Sequence, residues 1–366
     1  MAINHYVTLG RSGLRVSPLC LGAMTFGTEW NIGVEPEKAF ALLDAYLNAG
    51  GNFIDTANIY SRGHSEKILG DYFSPDSGTP WSGKRDRVVI ATKFGGNLFR
   101  TDPNAGGSGR KAILDQCDES LRRLRTDYID LYWMHFFDRH TPIDETMRTL
   151  DDLVRAGKVR YLGFSDTPAW KVTQAQYEAV LRNLTPLVAL QIEYSLLERT
   201  VEGELLPMAK ELGLGVTPWS PLKYGILSGK YTRQGRPTEG RGASEWVTKW
   251  LTERTYTVID VLTSIASAIG VPPAQVALAW LRTKDAVASP IIGARTVDQL
   301  EENIASLRVR LSNEQVARLD EVSRPQLNFP ADFLAGIGAV VHGGLSINGV
   351  SPAEWANAPK TDAERF

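Results

Sequence analysis

The sequence predicts an α/β fold: a closed (β/α)8 TIM barrel with an N-terminal hairpin, a long loop after its seventh strand and an extended C-terminal tail. Three observations carry that expectation. Strand and helix signals alternate along nearly the whole chain, the pattern of a parallel sheet assembled from strand–helix units. The strands read as near-continuous apolar runs, as strands covered on their outside by helices must. There are eight of them, the number that closes a barrel.

Residues 6–9 and 14–16 flank Gly10-Arg11-Ser12-Gly13 and read as a small hairpin about a glycine turn. The first barrel strand is the apolar run 19–24, followed by helical periodicity over 36–49 with Pro36 near its start, where a missing N–H is harmless. The other strands are expected at 52–55, 88–93, 128–135, 159–165, 187–193, 215–220 and 286–292. Helices are expected at 65–72, 110–124, 143–156, 169–183, 202–212, 252–269, 273–282 and 297–305, with Gly157 and Gly213 standing where two of them stop. One more helix, 313–322, ends a single domain expected over residues 1–322. Outside the pattern lie 224–250, a long loop rich in Gly, Arg and Thr, and the tail 323–366, read as a lid or a wrapping segment.

Composition narrows the function classes. Of 366 residues 43% are hydrophobic and 22% charged, the proportions of an ordinary globular protein with ample core. A net charge of −2 gives no general attraction to nucleic acid or anionic membrane, and neither is expected as a partner. Cys20 and Cys117 are too few for a disulfide framework and suit a reducing compartment. Residues 1–10 lack the apolar core of a signal peptide, and no apolar run is long enough to span a bilayer, so a cytoplasmic location is expected. No metal is expected, and the oligomeric state is not legible.

Barrel enzymes work at the C-terminal ends of their strands. Those ends carry Asp55, Lys93, His135, Ser165-Asp166, Gln191, Trp219-Ser220 and Gly293-Ala294-Arg295. A lone Asp, Lys or His there is more often a rim charge or a satisfied structural group. A carboxylate, an amine and an imidazole at equivalent ends, with Tyr60 just beyond, form a much more specific set. Its chemistry is proton transfer to a carbonyl oxygen. Tyrosine titrates near ~10, so donation at pH 7 calls for lowering it by roughly 3 units, or about 4 kcal/mol. One ammonium at ~4 Å in an effective dielectric of about 20 supplies that much. Lys93 is the expected source, Asp55 its counter-ion, and a neutral His135 orients the carbonyl or shares in proton relay.

A hydride source is needed as well. Gly107-Ser108-Gly109-Arg110-Lys111-Ala112 has the outline of a dinucleotide fingerprint but follows a loop instead of a strand, so it reads as a flexible helix entry. The better site follows strand eight. Thr296 and Gln299 make a capping-box pattern at a helix start, and Arg295 beside it suits a phosphate, although an ordinary cap with a surface arginine would look the same. Trp219 offers a flat face for stacking.

These residues resemble the aldo-keto reductases. The matching stretches are Asn52-Phe53-Ile54-Asp55-Thr56-Ala57 with Tyr60, Thr92-Lys93, Asp130-Leu131-Tyr132 with His135, Gly157-Lys158-Val159-Arg160, Gly163-Phe164-Ser165, Gln191-Ile192-Glu193-Tyr194 and Gly293-Ala294-Arg295. Pro218-Trp219-Ser220-Pro221-Leu222 and Leu227-Ser228-Gly229-Lys230-Tyr231 are similar to the bacterial and fungal aryl-alcohol-dehydrogenase-like branch. The resemblance implies an NADPH-dependent, reversible reductase of an aldehyde or ketone, binding NADPH or NADP+ in an extended pose without a Rossmann fold. It implies Tyr60 as general acid/base, Asp55 and Lys93 as its supporting pair, and His135 as the substrate-orienting residue. The implied cofactor contacts begin with Gly22, Met24, Thr25 and Asp55. Ser165, Asp166 and Gln191 would hold the nicotinamide carboxamide, with Trp219 against its ring. Ser220, Pro221, Leu222, Gly225, Leu227 and Lys230 would line the pyrophosphate, and Gly293, Ala294, Arg295, Gln299, Glu302 and Asn303 the adenosine end. Three positions depart from the family: Asp166 replaces the usual Asn, and Gly293 and Gln299 leave the 2′-phosphate resting on Arg295.

Two other readings use the same residues. A Schiff-base aldolase built on Lys93 leaves Asp55 unexplained. A cofactor-binding regulatory subunit of the aldo-keto-reductase type keeps the site without turnover. The substrate is expected to be a small-molecule carbonyl, aryl or otherwise bulky, since Trp30, Trp81, Phe94, Phe136, Phe137, Phe329, Phe333 and Trp355 could line an aromatic pocket.

Overall fold

The computed structural model describes residues 1–238, 244–350 and 353–365; the rest of the long loop, 239–243, and of the tail, 351–352 and 366, lies outside the described residues. The hairpin forms as expected, β1 (Val7–Thr8) pairing antiparallel with β2 (Arg15–Val16). It seals the bottom of the barrel: Leu9 and Val16 pack with Phe53, Val89, Leu131 and Trp133. Gly10 has φ +60°, and a Cβ there would lie 2.3 Å from the Val188 carbonyl, so only glycine fits the closure.

The barrel strands are β3 (Cys20–Gly22), β4 (Phe53–Asp55), β5 (Val89–Phe94), β6 (Ile129–Met134), β7 (Val159–Ser165), β8 (Leu187–Glu193), β9 (Gly215–Trp219) and β10 (Ile291–Ile292). All pair in parallel in the order β10-β3-β4-β5-β6-β7-β8-β9, and a parallel bridge from Val216 to Val287 brings the last segment back to β9. The eighth strand is shorter than the expected 286–292. Pro290 has no N–H to give the ladder, and Ala286 adopts a left-handed conformation, φ +64°. The segment still accepts a bond from Val216 through Ala286 and one from Cys20 through Pro290.

Alternation along the strands sets the site. Phe53, Val89, Ala91, Leu131, Trp133 and Ala189 fill the lower barrel interior. Two residues further along the same inward row come Asp55, Lys93, His135 and Gln191. The polar layer is thus the top of the apolar stack. Gly163 makes room for it, since a Cβ there would lie 2.3 Å from the buried Trp133 ring.

Helices α1 (Pro36–Asn48), α2 (His64–Phe73), α3 (Arg110–Leu124), α4 (Ile143–Arg155), α5 (Ala169–Arg182) and α6 (Leu205–Leu212) follow the first six strands. α6 begins later than expected because a 3-10 turn, Thr200–Glu202, occupies its first residues. In the long loop a 3-10 stretch, Lys223–Ser228, and α7 (Glu245–Thr248) precede α8 (Glu253–Ile269) and α9 (Pro273–Leu281). α10 (Val297–Ala305) and α11 (Asn313–Val322) complete the shell, and the tail adds α12 (Ala331–Gly336) and α13 (Gly338–His342). Arg199 anchors the start of the tail through the Asp320 carbonyl and Ser323, and Arg254 through the Arg324 carbonyl. Among the described residues no single helix is long and apolar enough to cross a membrane; only α8 and α9 together would pass, bent by 101°.

Candidate active site

β4 and β5 deliver Asp55 and Lys93 side by side into the upper barrel, both essentially unexposed. The Lys93 ammonium donates to Asp55 Oδ1, to the Thr56 carbonyl at 2.7 Å and to the Tyr60 hydroxyl at 3.2 Å. An ammonium has three donors, and all three are placed. Asp55 holds the Lys93 amine above its ordinary range despite burial, so the nitrogen has no lone pair to attack a carbonyl. This argues against the Schiff-base reading.

Tyr60 stands on the turn after β4, boxed edge-on by Trp30 at 6.0 Å and His135 at 5.7 Å between ring centroids. The backbone after it is left-handed at three successive residues, Ser61, Arg62 and Gly63, with φ +48°, +58° and +92°. For the two non-glycines that conformation costs on the order of 1–3 kcal/mol each, and side chains on either side of the turn tie it into the rest of the fold. Asn58, missed in the sequence reading, is one of them. Its amide donates to the Gly96 carbonyl and to Gln116, which also takes the Gly95 N–H, tying the Tyr60 loop to the loop after Lys93. Glu66 is another, fully buried on α2, accepting from Thr92 at 2.5 Å and Arg123 at 2.7 Å. A carboxylate on the buried face of a short helix was the signal available for it.

The protonation state of Tyr60 departs from expectation. Burial pushes its phenol above the ordinary range, and Asp55 adds to the rise, while Lys93 only opposes it. The ammonium lowers the phenol, but the desolvation that comes with burial outweighs it. The tyrosine is therefore held protonated, with a charged donor on its oxygen. His135 fits the expected neutral form: burial, then Lys93, holds its imidazole well below the usual range.

The remaining site residues divide into those with places open to a ligand and those already committed. Ser165 is buried with a hydroxyl that finds no partner among the described residues, and the half-exposed indole of Trp219 donates to Asp166 Oδ1 at 3.0 Å. Gln191 is committed through Nε2 to Asp55 Oδ2 at 3.0 Å. Thr25 reaches the Ala294 carbonyl, joining the top of β3 to the end of β10, where Gly22 also sits and Met24 is half-buried. Along the loop after β9, Ser220 has φ +51° and bonds the Tyr224 N–H, Pro221 is buried, Leu222 packs against the core, and Gly225, φ +93°, has open space beside it. Lys230 is exposed, whereas Leu227 is fully buried in the core. At the far end Gly293 has open space, Arg295 and Glu302 are exposed, and Asn303 bonds the Gly293 carbonyl. The capping pattern is modified: Thr296 accepts from the Gln299 N–H, but the Gln299 side chain takes the Arg295 N–H instead of closing the box. The partnerless hydroxyl of Ser165, the half-exposed Trp219 and the open spaces at Gly225 and Gly293 fit an extended dinucleotide.

The aromatic candidates separate too. Phe136 stacks on His135 at 4.0 Å and Phe137 meets Trp170 at 6.2 Å. Phe94, next to inward Lys93, faces the helices and packs on Tyr132, and Trp81 packs beside Asn48 at the opposite end of α1. Neither belongs to the mouth. Phe329 and Phe333 are largely exposed and pack on each other, and Trp355 is exposed.

Residues 18–324 match the aldo/keto reductase family model. Among curated relatives, the norsolorinic acid reductase stcV of Emericella nidulans is 39% identical over 338 residues, covering 90% of this chain and 84% of the relative. The Bacillus subtilis protein called uncharacterized oxidoreductase YrpG is 39% identical over 87% of this chain and 95% of its own length. An NADP(+) aryl-alcohol dehydrogenase of Phanerodontia chrysosporium is 35% identical over 95% of this chain and 94% of its own.

Proposed function

The chain belongs to the aldo/keto reductase family of oxidoreductases, and we propose that it reduces an aldehyde or ketone with NADPH, reversibly, with Tyr60 as general acid. The observation that carries this is the Lys93 ammonium, whose three donors go to Asp55, Thr56 and the Tyr60 oxygen. When bound, NADPH supplies the hydride. Tyr60, protonated, donates its proton to the carbonyl oxygen, and Lys93 stabilises the negative charge left on the phenol oxygen. Asp55 keeps Lys93 charged and aimed. Neutral His135 orients the carbonyl by hydrogen bonding, and Trp30 and Phe136 flank the approach.

NADPH over NADH rests on Arg295 and the helix N-terminus behind it, and the name of the Phanerodontia relative agrees. We read Ser165, Asp166 and Gln191 as the carboxamide pocket, Trp219 as its stacking face, Ser220–Lys230 as the pyrophosphate wall and 293–303 as the adenosine end. The names of the relatives and the aromatic flanks favour an aryl or bulky carbonyl. Cys20 and Cys117, buried and free, suit a reducing compartment, and we assign the enzyme to the cytoplasm. We take residues 1–322 as one catalytic domain and 323–366 as a C-terminal tail that serves as a lid or a wrapping segment.

The test is turnover. With NADPH and a set of aromatic aldehydes, loss of reduced-nicotinamide absorbance and formation of the matching alcohol are expected. Tight NADPH binding with no aldehyde or ketone reduced would point instead to a cofactor-binding regulator.

A further inference from the structure

Asp166 is a carboxylate in the carboxamide pocket proposed above, and the mechanism gives its charge no task. It follows β7 directly, with a left-handed backbone, φ +44°, that Asp and Asn tolerate better than other side chains. Trp219 Nε1 donates to its Oδ1 at 3.0 Å, so a ring stacked on the indole face lies beside the carboxyl group. The group is open to solvent through the mouth of the cleft even though protein surrounds most of it. Among the described residues the charged and titratable groups facing it are few, and the Tyr60 phenol is one of them. Glu193, at the end of β8, opposes its ionisation and is itself paired with buried Lys223 at 2.7 Å; Lys93 favours ionisation from further inside the barrel. Ser165, its neighbour, offers only a hydroxyl.

An amide at this position would treat the two redox states of a nicotinamide nearly alike. A carboxylate does not, because the oxidised ring is a cation and the reduced ring is neutral. We propose that Asp166 makes the site discriminate between the two states of its dinucleotide, holding NADP+ more tightly than NADPH by direct attraction to the oxidised ring. This rests on the dinucleotide reading of the site given above. The consequence is a bound couple biased toward carbonyl reduction relative to the same enzyme with an amide there, because stabilising the oxidised product on the enzyme makes the bound reduced form the stronger reductant. Burial raises the Asp166 carboxyl toward about 6, a rise that solvent access at the mouth limits. The bias is therefore present at neutral pH and fades as pH falls and the group takes up a proton.

The experiment is equilibrium binding, read by quenching of tryptophan fluorescence, of NADP+ and NADPH separately to the wild type and to Asp166→Asn between pH 5 and 8. The variant keeps an oxygen for the Trp219 N–H and tolerates the left-handed backbone. Its ratio of NADP+ to NADPH dissociation constants is expected to rise at least tenfold at neutral pH, since one charge pair even ~10 Å apart in an effective dielectric of about 20 gives that much. In the wild type that ratio is expected to fall as pH rises through the Asp166 range; in the variant it is expected to stay flat. The 2′-phosphate titrates in both cofactors and cancels. Independently of any variant, NADP+ is expected to release protons on binding at pH 5–6 and NADPH to release fewer, measurable by calorimetry in buffers of different ionisation enthalpy. Both cofactors binding with the same ratio in wild type and variant would overturn the inference and leave the reductase reading standing. No binding of either would overturn both.

Discussion

Replacing Lys93 with methionine removes the ammonium and little else, since the two side chains are similar in length. The nitrogen lies 3.2 Å from the Tyr60 oxygen. A phenolate at that separation is stabilised by about 5 kcal/mol in an effective dielectric of about 20. With roughly half a charge on the oxygen in the transition state, the barrier should rise by about 2–3 kcal/mol, or on the order of a hundredfold in kcat. Stability should fall as well, because Asp55 loses its buried partner; an uncompensated buried carboxylate costs about 3–5 kcal/mol unless it takes up a proton. Burial already pushes Asp55 above its ordinary range with Lys93 in place, and without Lys93 the rise is larger. A carboxyl raised in the folded state is destabilising as pH climbs from its unfolded value through its folded one. The gap in melting temperature between Lys93→Met and wild type should therefore widen from pH 5 to pH 8. Turnover at saturating aldehyde, cofactor quenching and melting at both pH values are the assays. A variant that folds, binds NADPH and turns over within threefold of wild type would refute the assignment of Lys93 as the charge behind Tyr60.

Two further outcomes follow from the same geometry. Arg295→Ala should weaken NADPH roughly ten- to hundredfold, the loss of about 1.5–3 kcal/mol from a charged hydrogen bond, and leave NADH unchanged in parallel fluorescence titrations; equal loss for both would remove Arg295 from the 2′-phosphate. His135 is held neutral in the fold, so the folded state resists a proton that the unfolded chain accepts, and stability should drop as pH falls below ~6.5 by up to about 1.4 kcal/mol per unit. His135→Gln should flatten that part of the curve in melting experiments, and an unchanged slope would argue against a neutral buried imidazole.

The barrel could be read from the chain because near-continuous apolar runs alternate with helical periodicity, although the first strand (19–24 expected, Cys20–Gly22 observed) and above all the eighth were overestimated. Its composition is apolar, but Pro290 and the left-handed Ala286 interrupt pairing, and a hydrophobic count does not weigh backbone geometry. Asp55, Lys93 and His135 could be found because strand ends are defined places in a barrel. The same alternation could have excluded Phe94, which must face outward if its neighbour Lys93 faces inward. Asn58 could not be found in this way because it lies on a loop with no periodic pattern; Gln116 and Arg123 sit on the helical pattern of α3, but periodicity does not name their distant partners, Asn58 and Glu66. The direction of the Tyr60 shift was missed for a related reason. Neighbouring charges can be anticipated from motif spacing, whereas burial depends on how Trp30 and His135 close around the ring. The Gln299 side chain, taken by the Arg295 N–H, shows a cap pattern satisfied in a way that spacing alone does not distinguish.

The most direct test of the account is Tyr60→Phe, which deletes one oxygen and leaves the ring between Trp30 and His135. NADPH should quench tryptophan fluorescence with an affinity close to wild type, while carbonyl reduction should fall by roughly 10²–10⁴, the usual contribution of a positioned general acid. Reduction at near wild-type rate would mean that the proton comes from another group and that the Asp55–Lys93–Tyr60 chain is not the catalytic apparatus.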